Sequence, residues 1–101
     1  MTDSVEYRTL LACKGELVTA FKQDPLTIGD SMLAENLVPP TVSSEIAEHR
    51  TTKDMGARRL VECITDKVKL SSGRYKDVID VLTRHEWLRD VVAILKSNYG
   101  M

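Results

Sequence analysis

Two thiols, Cys13 and Cys63, and two imidazoles, His49 and His85, are the side chains most able to bind a metal or attack a substrate. A zinc site draws its ligands from close sequence pairs, and these four residues stand singly along the chain. A catalytic thiolate needs a neighbour that lowers its pKa, and nothing local marks either cysteine as activated. Each thiol borders an apolar stripe, where a small core residue is expected. The first residues show no basic-then-apolar leader order, so both thiols are expected to stay reduced in a cytoplasmic protein. The histidines are expected at loops or helix ends, and Trp87 as a core or half-buried anchor. The sequence therefore predicts no enzyme, no metal and no cofactor.

Charge is the chemistry that the sequence concentrates. The chain carries 14 Lys and Arg against 15 Asp and Glu, a net charge of −1. Residues 24–49 hold Asp24, Asp30, Glu35, Glu45 and Glu48 with no Lys or Arg, a net of −5. Residues 50–76 hold Arg50, Lys53, Arg58, Arg59, Lys67, Lys69, Arg74 and Lys76 against Asp54, Glu62 and Asp66, a net of +5. Adjacent segments of opposite sign are either two solvated faces or complementary docking surfaces.

The elements that carry these charges read as helices. At 101 residues, with 43% hydrophobic and 29% charged residues, the chain fits one domain over 1–101. One Phe and one Trp leave the core to Leu, Val, Ile, Met and Ala, which suits helices. No apolar run approaches the length of a membrane span, about 18 residues. A first helix spans about Asp3 to Lys22 on Tyr7, Leu10, Leu11, Leu17, Val18 and Phe21, with Asp3 and Glu6 as a capping box and a bend at Gly15. Asp24-Pro25 starts a second helix to Asn36, with Leu26, Met32, Leu33 and Leu37 inward, and Pro39-Pro40 stops it. Thr41 caps a short third helix. Thr51 with Asp54 opens a fourth, whose stripe is Ala57, Leu60, Val61, Ile64 and Val68. Ser71-Ser72-Gly73 precedes a fifth on Tyr75, Val78, Ile79 and Leu82. The stripe changes phase near His85 and restarts on Leu88, Val91, Val92 and Leu95, and Gly100 follows this sixth helix. The fold class is all-α, an antiparallel bundle of six helices. Its expected core is Leu10, Leu17, Phe21, Leu33, Leu60, Ile64, Ile79, Leu82 and Leu88.

The order and spacing of these segments resemble the caspase recruitment domain, a branch of the death-fold superfamily. The stretch Thr52-Lys53-Asp54-Met55-Gly56-Ala57-Arg58-Arg59-Leu60-Val61 is similar to the family's fourth helix. Tyr75-Lys76-Asp77-Val78-Ile79-Asp80-Val81-Leu82 looks like its fifth, with Ile79 where Phe is usual. Ile28 to Leu37, followed by Pro40-Thr41, is similar to helix 2 and the start of helix 3. Leu10-Leu11 with Leu17-Val18 resembles helix 1, bent near Gly15.

The resemblance implies a protein without enzymatic activity that nucleates apoptotic or innate immune assemblies. It implies partners of the same kind: a second copy, or a caspase, adaptor or receptor carrying such a domain, joined in an oligomer or helical filament. It also implies a basic face on helices 1 and 4, with Lys14, Lys53, Arg58 and Arg59. The opposing acidic face on helices 2 and 3 would hold Asp30, Glu35, Glu45 and Glu48. Arg58 and Glu62, four residues apart, have the spacing of a local ion pair.

Two other readings use the same residues. Ser44 to His49 followed by Ala57-Arg58-Arg59-Leu60 has the outline of a helix-turn-helix that would place Arg58 and Arg59 on nucleic acid. A pI of about 6.1 and the acidic segment beside it argue against phosphate binding, so no nucleic-acid partner and no membrane partner is expected. The other is a dimerisation scaffold from another death-fold branch, without charge-based docking.

Overall fold

Helix follows the apolar period through the described residues. The computed structural model describes residues 4–48 and 52–99, and among them lie seven α-helices, one 3-10 turn and no strand. The helices are α1 (Val5–Ala12), α2 (Lys14–Phe21), α3 (Pro25–Ala34), α4 (Pro40–Ala47), α5 (Lys53–Leu70), α6 (Arg74–Thr83) and α7 (Arg89–Asn98), with the turn at Glu86–Leu88. The expected count of six becomes seven because the first predicted helix is two. Its break falls at Cys13 (φ −102°, ψ 13°), not at Gly15. The Cys13 N–H still donates to the Thr9 carbonyl at 3.1 Å, and Leu17 N–H donates to the Cys13 carbonyl at 2.9 Å. The chain is therefore kinked at a buried residue and continues in nearly the same ladder.

The start signals act one residue later than expected. Asp3, His49, Arg50, Thr51 and Gly100, on which several sequence expectations rest, lie outside the described residues. Ser4 Oγ accepts the Tyr7 N–H at 3.1 Å and caps α1. Thr52 Oγ1 accepts the Met55 N–H at 3.1 Å and caps α5. Both satisfy the amide three residues on, one of the four that a helix start leaves without an intrahelical partner. Asp24 behaves as predicted: Oδ1 accepts the Thr27 N–H at 3.2 Å, and Pro25 follows at the first helical position.

Helix α3 ends before the prolines reach it. Asn36 adopts the left-handed conformation, φ 58°. Leu37 N–H then donates to the Met32 carbonyl at 2.9 Å and Asn36 N–H to the Leu33 carbonyl at 3.0 Å. This is a Schellman closure, with Asn in the place usually held by Gly. Pro39 and Pro40 instead open α4 as N-cap and first helical residue, so Thr41 lies inside that helix and does not cap it. The break near His85 is present: His85 is extended, and the 3-10 turn leads into α7.

The core forms on α5, whose Ala57, Leu60, Val61, Ile64 and Val68 are fully buried. Helices α1, α2, α3, α4 and α6 pack on it. Tyr75 of α6 stacks on Tyr99 at 5.3 Å, and Tyr99 O–H donates to Glu6 Oε1 at 3.1 Å, tying the end of α7 to α1. Leu10, Leu17, Phe21, Leu60, Ile64, Leu82 and Leu88 are buried as predicted, whereas Leu33 and Ile79 are only half-buried. Leu26 is 39% exposed and Ile28 takes the core position. The cap at Asp24 sets the phase of α3, and two residues rotate a helix by about 200°, which exchanges the two sides.

Leu60→Ala or Ile64→Ala should lower unfolding free energy by about 2–5 kcal/mol, and Ile79→Ala by clearly less. Urea denaturation measures both. Equal losses at Ile79 and Leu60 would contradict this core. Asn36→Gly should be close to neutral, and Asn36→Val clearly destabilising, because only the latter resists a positive φ.

Candidate functional site

The charged side chains that sequence spacing groups together diverge in space. Lys53 opens α5 beside Asp24, whose carboxyl is influenced by its charge. With Gln23, Pro25, Leu26 and Ile46 it lines a hollow of about 190 Å³. Arg58 lies on the flank of α5 that meets α2. Its Nε donates to Asp54 Oδ2 at 2.9 Å, and Nζ of Lys22, the C-cap of α2, reaches Asp54 Oδ1 at 3.2 Å. The expected partner of Arg58 was Glu62. Asp54 is equally four residues away and precedes the cation, the better orientation on a helix. Arg59 lies one residue, about 100°, further round. It pairs loosely with Glu62 at 3.9 Å and acts on Cys63. Lys14, exposed at the start of α2, makes no hydrogen bond or ion pair among the described residues.

The acidic residues divide in the same way. Asp30 is exposed on α3, about 200° from buried Ile28, and has no hydrogen-bond or ion-pair partner among the described residues. Glu35, the C-cap of α3, is engaged by two arginines. Its Oε1 accepts from Arg84 Nη2 at 3.1 Å, and its main-chain carbonyl accepts from the Arg74 guanidinium. Glu45 is half-buried on α4 and close enough to Cys63 of α5 to act on its thiol. Glu48 is exposed at the C-cap of α4. The structure thus brings Arg58 together with Lys22, and Glu35 together with Arg84 and Arg74. It does not gather Lys53, Arg58 and Arg59 on one face.

Lys22 is the residue that sequence spacing missed. It is the C-cap of α2, eight residues or about 12 Å after Lys14 and about 80° further round, so no simple period marked it in the sequence. Ser31 and His85 were also unforeseen as partners, since Ser31 Oγ and His85 Nε2 are 3.0 Å apart across 54 residues of sequence.

Two carboxyls have lowered pKa values. The Thr27 hydroxyl, then the Thr27 N–H, holds Asp24 below the ordinary value of 3.8. Arg58 and then Lys22, by hydrogen bonding, hold Asp54 below it. Both thiols are pushed up. Burial raises Cys13, with Glu16 adding to it. Burial also raises Cys63, Arg59 opposes it, and Glu62, Asp66 and Glu45 add to it. Each sulfur is therefore held in its weakly nucleophilic protonated form at neutral pH. No three His, Cys, Asp or Glu side chains converge as a metal site among the described residues, and no described helix is long and apolar enough to cross a membrane. Trp87, 37% exposed, lines an open groove with Gly15, Thr19, Val91 and Ile94.

Comparison with protein-family models, with curated proteins and with solved structures found no match to this chain.

The lowered Asp24 pKa has a definite consequence for stability. A carboxylate more acidic in the folded state contributes stability above its unfolded value, about 3.9, and loses it as pH falls through the lower folded value. Asp24→Ala should therefore cost about 0.5–2 kcal/mol at pH 7 and progressively less below about pH 4. Thermal melts of both proteins from pH 7 to pH 2 measure the difference, and a constant offset across that range would contradict this role.

Proposed function

We propose that this chain is a six-helix death-fold docking domain, with α1 and α2 together as its bent first helix, and that it acts as a caspase recruitment domain acts. The order of its segments supports this reading, and one observation carries it. The helices differ in the sign of their charge: α3 and α4 contain no Lys or Arg, and Asp30 stands exposed on α3 without a partner among the described residues. Helix α5 carries Lys53, Arg58, Arg59, Lys67 and Lys69 against Asp54, Glu62 and Asp66, a net of +2. An acidic helix of one copy meeting the α2–α5 flank of the next is a heterologous contact. Such a contact need not close on itself and can propagate into a helical oligomer. A single weak interface suffices, because many neighbours per subunit supply avidity. The partners are copies of this chain or of a caspase, adaptor or receptor with a like domain, in cytoplasmic apoptotic or innate immune signalling.

The helix-turn-helix reading places α5 against phosphates. The outer surface of that helix interleaves Arg59 with Glu62 and Asp66, and Arg58 is already held by Asp54. These carboxylates would face the nucleic-acid backbone and oppose binding.

Charge reversal tests the docking. Arg58→Glu and Asp30→Lys should each abolish self-association while leaving the thermal melt unchanged. A mixture of the two should associate again, since Asp30 of one protein meets Arg58 of the other and the two introduced charges are themselves opposite, more weakly at higher salt. Sedimentation of the single proteins and of the mixture gives the answer. Single variants that assemble like the parent at low and high salt would transfer the role to an uncharged scaffold surface.

A further inference from the structure

The α2–α5 flank is built around one carboxylate. Lys22 Nζ and Arg58 Nε approach opposite oxygens of Asp54, at 3.2 and 2.9 Å. The cluster lies at the surface, with side-chain exposures of 48% for Lys22, 63% for Arg58 and 41% for Asp54. Two cations on one anion leave a net charge of +1. Arg58 uses only its Nε, and its terminal nitrogens make no hydrogen bond to the protein among the described residues. A guanidinium has five N–H donors, so most of its capacity faces solvent. Met55, 60% exposed, stands three residues before Arg58, the spacing of neighbours on one helix face.

We infer that Lys22 and Arg58 form a receptor for an acidic side chain, Asp30 of a second copy, and that Asp54 fills this receptor in the free chain and yields it on docking. The inference rests on the proposed docking and adds its geometry. Asp30 is suited to the role because it is exposed and has no partner of its own to give up. Glu35 is less suited, since its carboxylate already pairs with Arg84 and would have to give up that partner. Asp54 can yield because an exposed ion pair contributes little, about 0–1 kcal/mol, so one carboxylate can replace another at small cost. The alternative role for Asp54 is to hold Arg58 in position for the partner. The two roles predict opposite effects of removing its charge.

The experiment uses two full-length variants that cannot self-associate. Asp30→Asn presents only the basic flank, and Arg58→Gln presents only the acidic one. Their binding is measured by calorimetry at low salt, with melting curves as the control for folding. Adding Asp54→Asn to the Asp30→Asn protein should tighten binding about two- to fivefold, since the internal competitor is lost. Adding Lys22→Gln to the same protein should weaken it at least about threefold, since one arm of the receptor is lost. Asp54→Ser replaces Asp54→Asn if the latter does not fold. If the parent pair binds while Asp54→Asn leaves affinity unchanged or lowers it, the displacement is wrong and the docking stands. If the parent pair does not bind, the docking itself fails and this receptor with it.

Discussion

Ala57, Leu60, Val61, Ile64 and Val68 recur along α5 at helical spacing, and all are out of solvent. Burying that stripe leaves the helix one rotation about its own axis, because any other would expose several of these side chains at about 1.5–3 kcal/mol each. The same rotation fixes every charged residue on α5. Arg58 must fall on the flank toward α2, and Arg59, about 100° further round, must not. Asp54 sits one turn before Arg58 on that flank, which is why Lys22 can reach it from α2. Charge placement on this molecule is thus a consequence of core packing.

Helix α3 has a weaker apolar hold and gains a polar one. Its buried members are Pro25, Ile28, Gly29 and Met32. Three long-range polar contacts join it to α6 and the bend that follows: Ser31 with His85, the Glu35 carboxylate with Arg84, and the Glu35 carbonyl with Arg74. The carbonyl contact occupies a group just beyond the last turn of α3, where intrahelical partners run out. These ties clamp the C-terminal half of α3 to α6 and to the bend after it. Asp30, on the opposite side from Ile28, takes no part in them. One acidic helix therefore carries two kinds of carboxylate, one spent on the fold and one directed to solvent.

Local rules were legible in the sequence wherever a short-range bond decides the outcome. Asp24-Pro25 opens α3 as read, the α5 stripe is buried as read, and the break falls at His85 as read. Misreadings arose where the phase of a short helix or a distant partner decides. Leu26 and Ile28 are both apolar and two residues apart, and only the rotation set by the Asp24 cap says which enters the core. Asn36 ends α3 three residues before the prolines because its own left-handed conformation satisfies the last carbonyls. Proline is a strong stop but only for a helix that reaches it. Glu35 reads as a surface acid until Arg84, 49 residues away, is brought beside it. Charge sums over a segment carry no information about such pairings.

The difference between a segment's net charge and the charge a surface can offer follows from those pairings. The basic segment is strongly positive, yet Arg58 is held by Asp54, Arg74 by Asp77 at 2.8 Å, and Arg59 lies 3.9 Å from Glu62. Each of these pairs is exposed or half-exposed, where water and salt screen the attraction and the net contribution is small. Pairs of this kind exchange partners at little cost. A single docking contact built from them is weak, and the internal carboxylates weaken it further, so a reversed charge acts on assembly because it is repeated at every interface. Association through this surface would then depend on many copies engaging at once, each contact weak and each reversible, with charge deciding orientation and partner more than affinity.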